Sequence, residues 1–286
     1  MKKYILPLLL ATSTTQALDI RYGLGDFEWN MGLLGLVDSS VTVDDTVISI
    51  NEQHQNFEDS PWYFFGNLDI HSSDKLDTVT DLADGIRSDF PSLINSAMST
   101  VAPIPSSFEV SGMDIDLGIG YDVIQDERGY LGVGVVTGLS TPFMEMHNYI
   151  DSYNYISNLL EETSTDVSTY KFGLSLQAAY SVTRNISLYG TSIFALQTGE
   201  MTNDLINSTL DVSGSYNSMD IGVKFYPSEL VDEESNLYLK AGYAYKHWDI
   251  DDIESTIAGV VVPSMDSLFQ SEMTSDFFYV GLGFKL

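Results

Sequence analysis

The sequence predicts an all-β protein, a transmembrane antiparallel up-and-down β-barrel of about ten strands, with about eight or about twelve as alternatives. In segment after segment, apolar residues alternate with glycine or polar residues. After the first 17 residues, no run of residues is long and apolar enough to form a transmembrane helix. The last segment, SDFFYVGLGFKL, has one wholly apolar row, formed by Phe278, Val280, Leu282, Phe284 and Leu286. On the edge of a soluble sheet such a row would promote aggregation, so the pattern favours a lipid-facing wall.

The N-terminal residues, MKKYILPLLLATSTTQA, have the layout of a cleaved signal peptide. Two lysines precede an apolar run that is too short to cross a bilayer. We therefore expect a signal peptide at residues 1–17 and one barrel domain at 18–286. The chain has 12 basic and 41 acidic residues and no cysteine. This charge excludes nucleic acid as a partner, because phosphate binding needs clustered Lys and Arg.

The alternating segments give most of the strands in order. They are WYFFGNLDIH from Trp62, MDIDLGIGYDV from Met113, YLGVGVVTGL from Tyr130, TYKFGLSLQAAYSV from Thr169, MDIGVKFY from Met219 and LYLKAGYAYKHW from Leu237. Because such barrels have an even number of strands, two more strands are needed before Trp62. We place them at 19–36, with a phase shift near Gly25, and at 40–52, where the alternation is poorer.

The polar rows of these strands separate a barrel from a soluble β-sandwich. A sandwich would alternate too, but its polar rows would meet water and be rich in Lys, Glu and Thr. Here the polar rows are rich in glycine and small residues, which suit a crowded barrel interior. Tyrosines in the apolar rows suit membrane interfaces. The pattern favours the barrel.

The terminal strand resembles the C-terminal signal of Gram-negative outer-membrane β-barrel proteins. Apolar residues alternate back from the last position with aromatic residues among them, although Leu286 stands where that family usually has Phe. The resemblance implies a Gram-negative outer-membrane location and contact with outer-membrane lipid and lipopolysaccharide. It also implies that the barrel-assembly machinery recognises residues 275–286, and that this strand pairs with the first to close the barrel.

The same resemblance implies periplasmic termini, short periplasmic turns and long extracellular loops. QDERG at 125–129 and TRN at 183–185 are therefore expected to be periplasmic. The extracellular connections become 72–107, 140–167, 201–210 and 251–273. Apolar residues recur at three-to-four spacing in 73–98 and 142–162, which predicts an amphipathic helix in each of these two loops. These helices either cap the barrel mouth or form a lid or binding surface.

Charges of both signs fall on the inward rows and predict a lumen network. Its members are Arg21, Glu28, Lys171, Asp220, Lys224, Lys240 and Lys246. Charges that pair inside a narrow barrel indicate a filled interior with at most a narrow pathway. The four histidines lie at no ligand spacing, so we expect no metal site and no cofactor.

A catalytic alternative rests on Asp69 with His71, and on Asp114 with Asp116. Both pairs fall on inward rows in the outer halves of their strands. An Asp–His pair facing an acidic pair at the mouth of a ten-stranded barrel resembles the omptin proteases. That resemblance implies that His71 acts as general base, oriented by an aspartate, on a water that attacks a peptide bond. The characteristic strand sequences of omptins are absent, and ion pairs with Lys171, Lys240 or Lys246 are the favoured interpretation.

Three functional hypotheses follow. The first is a non-enzymatic surface protein with a structural or surface-interaction role, binding or passing a small molecule at the extracellular mouth. The second is a narrow channel, cation-preferring because its outer loops are acidic. The third is an omptin-like surface hydrolase.

Overall fold

The computed structural model describes residues 17–33, 37–56, 60–73, 76–78, 106–148, 163–203, 208–227, 237–257, 260–262 and 269–285. Its strands are β1 Ala17–Leu33, β2 Val37–Asn56, β3 Trp62–Ser73, β4 Leu76–Thr78, β5 Ser106–Gln125, β6 Gly129–Ser140, β7 Phe143–Asn148, β8 Thr163–Ser181, β9 Ile186–Asn203, β10 Ser208–Phe225, β11 Leu237–Ile257, β12 Val260–Val262 and β13 Phe269–Lys285. In the part of the chain that the structure describes, no helix is long and apolar enough to cross a membrane.

The strands close into one antiparallel barrel. Ten strands, of 12 to 21 residues, follow one another around the wall in chain order, and β13 pairs with β1 to complete the ring. The short strands β4, β7 and β12 pair with neighbouring strands and lengthen the wall at one end. The predicted ten-strand up-and-down barrel, with its first hairpin before Trp62, is therefore confirmed.

The two ends of the barrel differ in their connections. We call the end that carries Ala17, Lys285 and the short connections after β5 and β8 the turn end. The opposite end, where β4, β7 and β12 lie, is the loop end. All residues that line the lumen can be placed between these two ends by their position along the strands.

The outward-facing side chains divide the barrel into two halves. Near the turn end they are large, apolar and exposed, with Phe278 at 73% and Val280 at 63% of full exposure. Near the loop end the same rows are polar, so that on β1 the outward row changes from Leu24 to Asp26 and Glu28. An apolar belt of this kind matches the hydrocarbon core of a bilayer. The turn-end half therefore spans the membrane and the loop-end half stands in water.

The strands are longer than a bilayer requires. β11 has 21 residues, whereas about 9–11 tilted residues are enough to cross a membrane. The extra length occupies segments that the sequence predicts to be loops, because β11 runs to Ile257 inside the expected connection 251–273. The wall of the barrel therefore continues well beyond the membrane.

The predicted helix at 142–162 is wrong in its first part. Phe143–Asn148 is β7, which pairs with β5 and β8. The backbone is hydrogen-bonded to the two strands that extend on either side of it, so the sheet replaces the helix there. In the other predicted helix, Leu76–Thr78 is β4. Residues 79–98 and 149–162 lie outside the described residues, as does the predicted signal peptide up to residue 16.

Strand β1 lacks the phase shift predicted near Gly25. Its register with β13 and with β2 is continuous, so odd-numbered residues face the lumen throughout, including the buried Phe27 and Trp29. Glu28 consequently faces outward, where it accepts a hydrogen bond of 3.0 Å from the Asn30 side chain. The prediction that Glu28 belongs to the lumen network is wrong, because two large aromatic side chains take the inward positions beside it.

Glycines on the inward rows make room for aromatic rings. A Cβ atom at Gly242 would overlap the phenol ring of Tyr279, and one at Gly222 would overlap that of Tyr189. Each tyrosine is paired with its glycine on the neighbouring strand. The glycine-rich rows that the sequence shows are thus filled by rings from adjacent strands.

Candidate functional site in the barrel lumen

Five charged side chains in the middle of the lumen form the central cluster: Asp69, Asp114, Asp116, Lys171 and Lys246. Lys171 Nζ lies 2.6 Å from Asp114 Oδ1 and 2.7 Å from Asp116 Oδ1. Lys246 forms ion pairs with Asp69 and with the second oxygen of Asp114. At most 4% of any of the five is exposed. Because Asp114 is shared by both lysines, the cluster is a single connected network.

The strand register explains why this cluster needs lysines. Asp69 on β3 and Asp114 on β5 lie directly opposite one another on adjacent strands, where like charges repel. Lys246 comes from β11, which is not a neighbour of either strand, and bonds both carboxylates. The network therefore links distant parts of the barrel wall through the lumen.

On the loop side of the central cluster, Phe27, Trp29, Tyr216 and Trp248 form the aromatic layer. None of the four is more than 2% exposed. The Tyr216 hydroxyl donates to Asp114 Oδ2 at 3.0 Å, and the Lys171 ammonium lies 3.7 Å from the Tyr216 ring centre. The rings of Phe27 and Trp248 are in contact, with centres 6.1 Å apart. The aromatic layer fills the lumen and is bonded to the central cluster.

Near the turn end, Asp19, Arg21, Asp220 and Lys240 form the turn-end cluster. Arg21 Nε lies 2.7 Å from Asp19 Oδ1, and Arg21 Nη1 lies 2.6 Å from Asp220 Oδ2. Lys240 Nζ lies 3.0 Å from Asp19 Oδ2. Two cationic side chains thus meet two carboxylates, and the cluster is balanced in charge.

Three tyrosines enclose the turn-end cluster. The Tyr238 hydroxyl donates to Asp19 at 3.3 Å, and the Tyr279 hydroxyl donates to Asp220. The Tyr189 and Tyr279 hydroxyls are hydrogen-bonded to each other. Their rings and hydroxyl groups fill the lumen within the membrane-spanning half.

Between the two clusters lies an internal cavity of about 50 Å³, which we call the chamber. Arg21 and Asp220 line it from the turn-end cluster; Asp69, Asp116 and Lys246 line it from the central cluster. Asn51 and Glu52 from β2 also line it, together with the uncharged polar residues Asn67, Gln177, Thr191 and Ser218. The chamber is the space that the charged residues of both clusters share.

A contact between a histidine and a carboxylate lies beside the aromatic layer. His71 Nδ1 is 2.6 Å from Asp45 Oδ2, and the His71 ring contacts Phe27, Trp248 and Phe277 with centres 6.3 Å away in each case. The cavity beside it measures about 10 Å³. His71 is therefore enclosed by aromatic rings rather than open to the mouth.

Comparison with known proteins gives structural neighbours only. No family model and no curated protein match the chain. The outer membrane protease OmpT from Escherichia coli superposes with a TM-score of 0.56 at 10% identity, over 96% of this chain and 98% of that chain. The toluene transporter TodX from Pseudomonas putida gives a TM-score of 0.34 at 9% identity, over 97% and 91% of the two chains. The chain has the fold of an outer-membrane β-barrel.

At these identities the likeness extends to the fold alone. Ail, the attachment invasion locus protein of Yersinia pestis, superposes with a TM-score of 0.31 at 9% identity, over 95% of this chain and 99% of that chain. The closed barrel and the apolar belt of its turn-end half are those of a membrane-spanning β-barrel.

The structure brings together the four residues of the catalytic hypothesis, but on adjacent strands and not on opposite sides of the barrel mouth. Asp69 and His71 lie on β3, and Asp114 and Asp116 on the adjacent β5. The three aspartates are held in ion pairs with lysines. The partner of His71 is Asp45 and not Asp69. The arrangement thus differs from an Asp–His pair that faces an acidic pair across the mouth.

Five of the other predicted network residues divide between the two clusters, and Lys224 lies beside them. Arg21, Asp220 and Lys240 lie in the turn-end cluster, whereas Lys171 and Lys246 lie in the central cluster. Lys224 places its ammonium 5.2 Å from the ring centre of Tyr238.

Sequence reasoning missed four polar residues of the lumen: Asp19, Asp45, Asn51 and Glu52. A signal for two of them was present. Asp19 precedes Arg21 by two residues on the same row, and in VTVDDTVIS Asp45 continues the row of the apolar residues at 41, 43 and 47. Glu52 breaks the alternation at a register shift in β2, which the sequence alone does not reveal.

Proposed function

We propose that the protein is a sealed outer-membrane barrel with a non-enzymatic role, structural or in surface interaction, exerted by its loop-end half. The observation that carries this proposal is the filled lumen. The turn-end cluster, the central cluster and the aromatic layer follow one another along the barrel axis, and all their side chains are buried except that of Asp220, which is 18% exposed. Side chains fill barrels of about eight strands, whereas wide channels need about 16 or more.

The lumen contacts argue against the hydrolase hypothesis. A general base must reach the proton that it abstracts, but only 5% of His71 is exposed. A water that attacks a peptide bond also needs a free carboxylate or imidazole beside the substrate. The carboxylates of Asp69, Asp114 and Asp116 are instead occupied by Lys171 and Lys246. The likeness to OmpT is one of fold and adds nothing to the chemistry of this chain.

The outer surface of the loop-end half supports a role in surface interaction. Its exposed outward side chains include Asp26, Asp44, Asp166, Glu200, Asp211 and Glu272. Among the described outward positions of this half there is no Lys or Arg. Such a wall attracts cationic partners and, through divalent cations, the phosphates of lipopolysaccharide. The barrel would then hold this acidic wall at the membrane surface.

Conductance in a planar bilayer tests the proposal. The refolded wild-type chain should give no current steps. A double variant with Tyr216→Ala and Trp248→Ala, which removes two rings from the aromatic layer, should give small current steps or current noise. Heat-dependent electrophoretic mobility shows whether each protein is folded. Steady cation-selective steps from the folded wild type would replace this proposal with the narrow-channel hypothesis.

A further inference from the structure

Three buried polar atoms at the chamber have no hydrogen-bond partner in the protein. They are Arg21 Nη2, Asn51 Oδ1 and Glu52 Oε1. Their residues are at most 8% exposed, and all three line the chamber. Asn51 uses its amide nitrogen to donate to Asn67 at 2.9 Å, which leaves its oxygen free to face a ligand. Leaving a buried polar atom without a partner is energetically unfavourable, so these atoms mark a binding position.

The described lumen carries more negative than positive charge. Its carboxylates are those of Asp19, Asp45, Glu52, Asp69, Asp114, Asp116, Asp122 and Asp220, and its cationic side chains are Arg21, Lys171, Lys224, Lys240 and Lys246. The turn-end cluster is balanced by itself. Of the three excess negative charges, one lies in the central cluster and one at Glu52, and both of these border the chamber. The third arises from Asp45 and Asp122 set against Lys224, which lie outside the chamber lining.

Uncompensated charge of this kind is costly inside a protein. Moving a charged group out of water without a counter-charge costs several kcal/mol even after relaxation. A cation in the chamber would oppose the Glu52 carboxylate and the third carboxylate of the central cluster. A proton on Glu52 would neutralise only that carboxylate and would leave the third carboxylate of the central cluster uncompensated.

The size and ligand set of the chamber select the kind of cation. No group of three or more His, Asp or Glu side chains among the described residues is close enough to form a metal centre, which disfavours divalent ions that require several carboxylates. A monovalent ion needs fewer charged ligands and can be held by carbonyl-type oxygens and water. One water needs about 10–15 Å³, so a cavity of about 50 Å³ accommodates one small ion with two or three waters.

We propose that the chamber binds a hydrated monovalent cation, such as sodium or potassium, between Glu52 and Asn51. Glu52 Oε1 and Asn51 Oδ1 are its protein ligands, and a coordinated water accepts a hydrogen bond from Arg21 Nη2. The ion completes the charge balance between the two clusters and stabilises the barrel from within. This proposal goes beyond the sealed-barrel function and does not depend on whether the protein conducts.

Thermal unfolding of the refolded full chain in detergent micelles provides the first test. Melting temperatures are compared in sodium, potassium and N-methylglucamine chloride at equal ionic strength. The account predicts a higher melting temperature with one of the small cations, rising to a plateau as its concentration increases, because a ligand of the folded state stabilises it. Equal melting temperatures in all three salts would overturn the proposal.

The variant Glu52→Gln should lose this difference between salts, since it removes the charged ligand. Glu200→Gln is the matched control, because Glu200 is exposed on the outer wall and its loss should leave the difference unchanged. If Glu52→Gln retains the full cation effect, the ion lies elsewhere and the assignment to the chamber is wrong.

A direct measurement covers the case in which Glu52→Gln does not fold. Crystals of the wild type soaked in rubidium or thallium salt should show an anomalous peak within about 3.5 Å of Glu52 Oε1 and Asn51 Oδ1. A map without a peak in the chamber would contradict the proposal even if the barrel is sealed. Conductance with a peak would contradict the proposed function alone.

Discussion

The turn-end cluster and the central cluster are both buried networks of ion pairs, but they are built differently. In the turn-end cluster, Asp19 is bonded by Arg21, Lys240 and Tyr238. In the central cluster, two lysines serve three carboxylates, and among the described residues Asp116 forms its ion pair with Lys171. When each carboxylate has several partners, the network tolerates the loss of one cationic side chain. When the carboxylates outnumber the cations that they share, the loss of one cation leaves a carboxylate without an ion pair.

Replacing Lys171 with Met should give the largest destabilisation. The change leaves Asp116 buried without its ion pair. Asp114 keeps Lys246 as its one lysine partner in the cluster, together with hydrogen bonds from Tyr216 and Ser140. Breaking a buried pair from one side costs about 3–5 kcal/mol. Urea unfolding in lipid vesicles, followed by tryptophan fluorescence, measures the loss. The double variant Lys171→Met and Asp116→Asn should recover part of it, because it removes the unpaired charge.

Replacing Lys240 with Met should cost less, about 1–3 kcal/mol. Asp19 keeps Arg21 and Tyr238 as partners after this change. The same urea experiment gives the comparison directly. Equal losses of unfolding free energy for Lys240→Met and Lys171→Met would show that the two clusters tolerate the loss of a cation equally well.

Substitutions of the aromatic partners of the two clusters should show the same order of destabilisation, with smaller losses of unfolding free energy. Trp248→Phe removes a hydrogen bond of 3.0 Å to Ser140, which itself donates to Asp114, and should cost about 1 kcal/mol. Tyr238→Phe removes a bond of 3.3 Å to Asp19 and should cost less. The difference between their unfolding free energies is the quantity to measure, and a reversed order would count against the comparison.

Outside both clusters, one substitution should stabilise the protein slightly. On the outer wall Asp26 lies directly between Asp44 of β2 and Asp276 of β13, and like charges in this position repel. Asp26→Asn should raise stability by about 0.2–1 kcal/mol. The gain should shrink in high salt, which screens exposed charges. Thr42 is exposed on the same outward row of β2, two residues before Asp44. Thr42→Ser is the control, because it changes no charge and should leave stability unchanged.

The fold was predictable because the barrel wall follows a simple rule. Lipid on one side and a packed lumen on the other impose a period of two, and the row from Phe278 to Phe284 shows it at the chain's last strand. The rule fails where water replaces lipid. In the loop-end half, the polar Glu28 faces outward and the large apolar Trp29 faces the lumen. This is the reverse of the pattern expected for a strand in lipid, because the outer face meets water there and aromatic residues fill the inside.

The site was predictable only as a list of charged residues. Alternation places Asp69, Asp114 and Lys171 on inward rows, but it gives neither the partners nor the distances, since these come from strands on different sides of the barrel. The position of β7 could not be predicted either, because helical spacing at 143–148 competes with pairing to β5 and β8 that only the closed barrel provides. Glu52 required knowledge of a register shift.

Cysteine accessibility is the most direct measurement of whether the lumen is sealed. The chain has no cysteine, so single substitutions report without background. On β8, Ser175 is buried in the lumen at 4% exposure while Ser168 is exposed on the outer wall. With a charged, membrane-impermeant thiol reagent, Ser168→Cys should react rapidly and Ser175→Cys should remain unlabelled until the protein is unfolded. Rapid labelling of Ser175→Cys in the folded barrel would contradict the central claim.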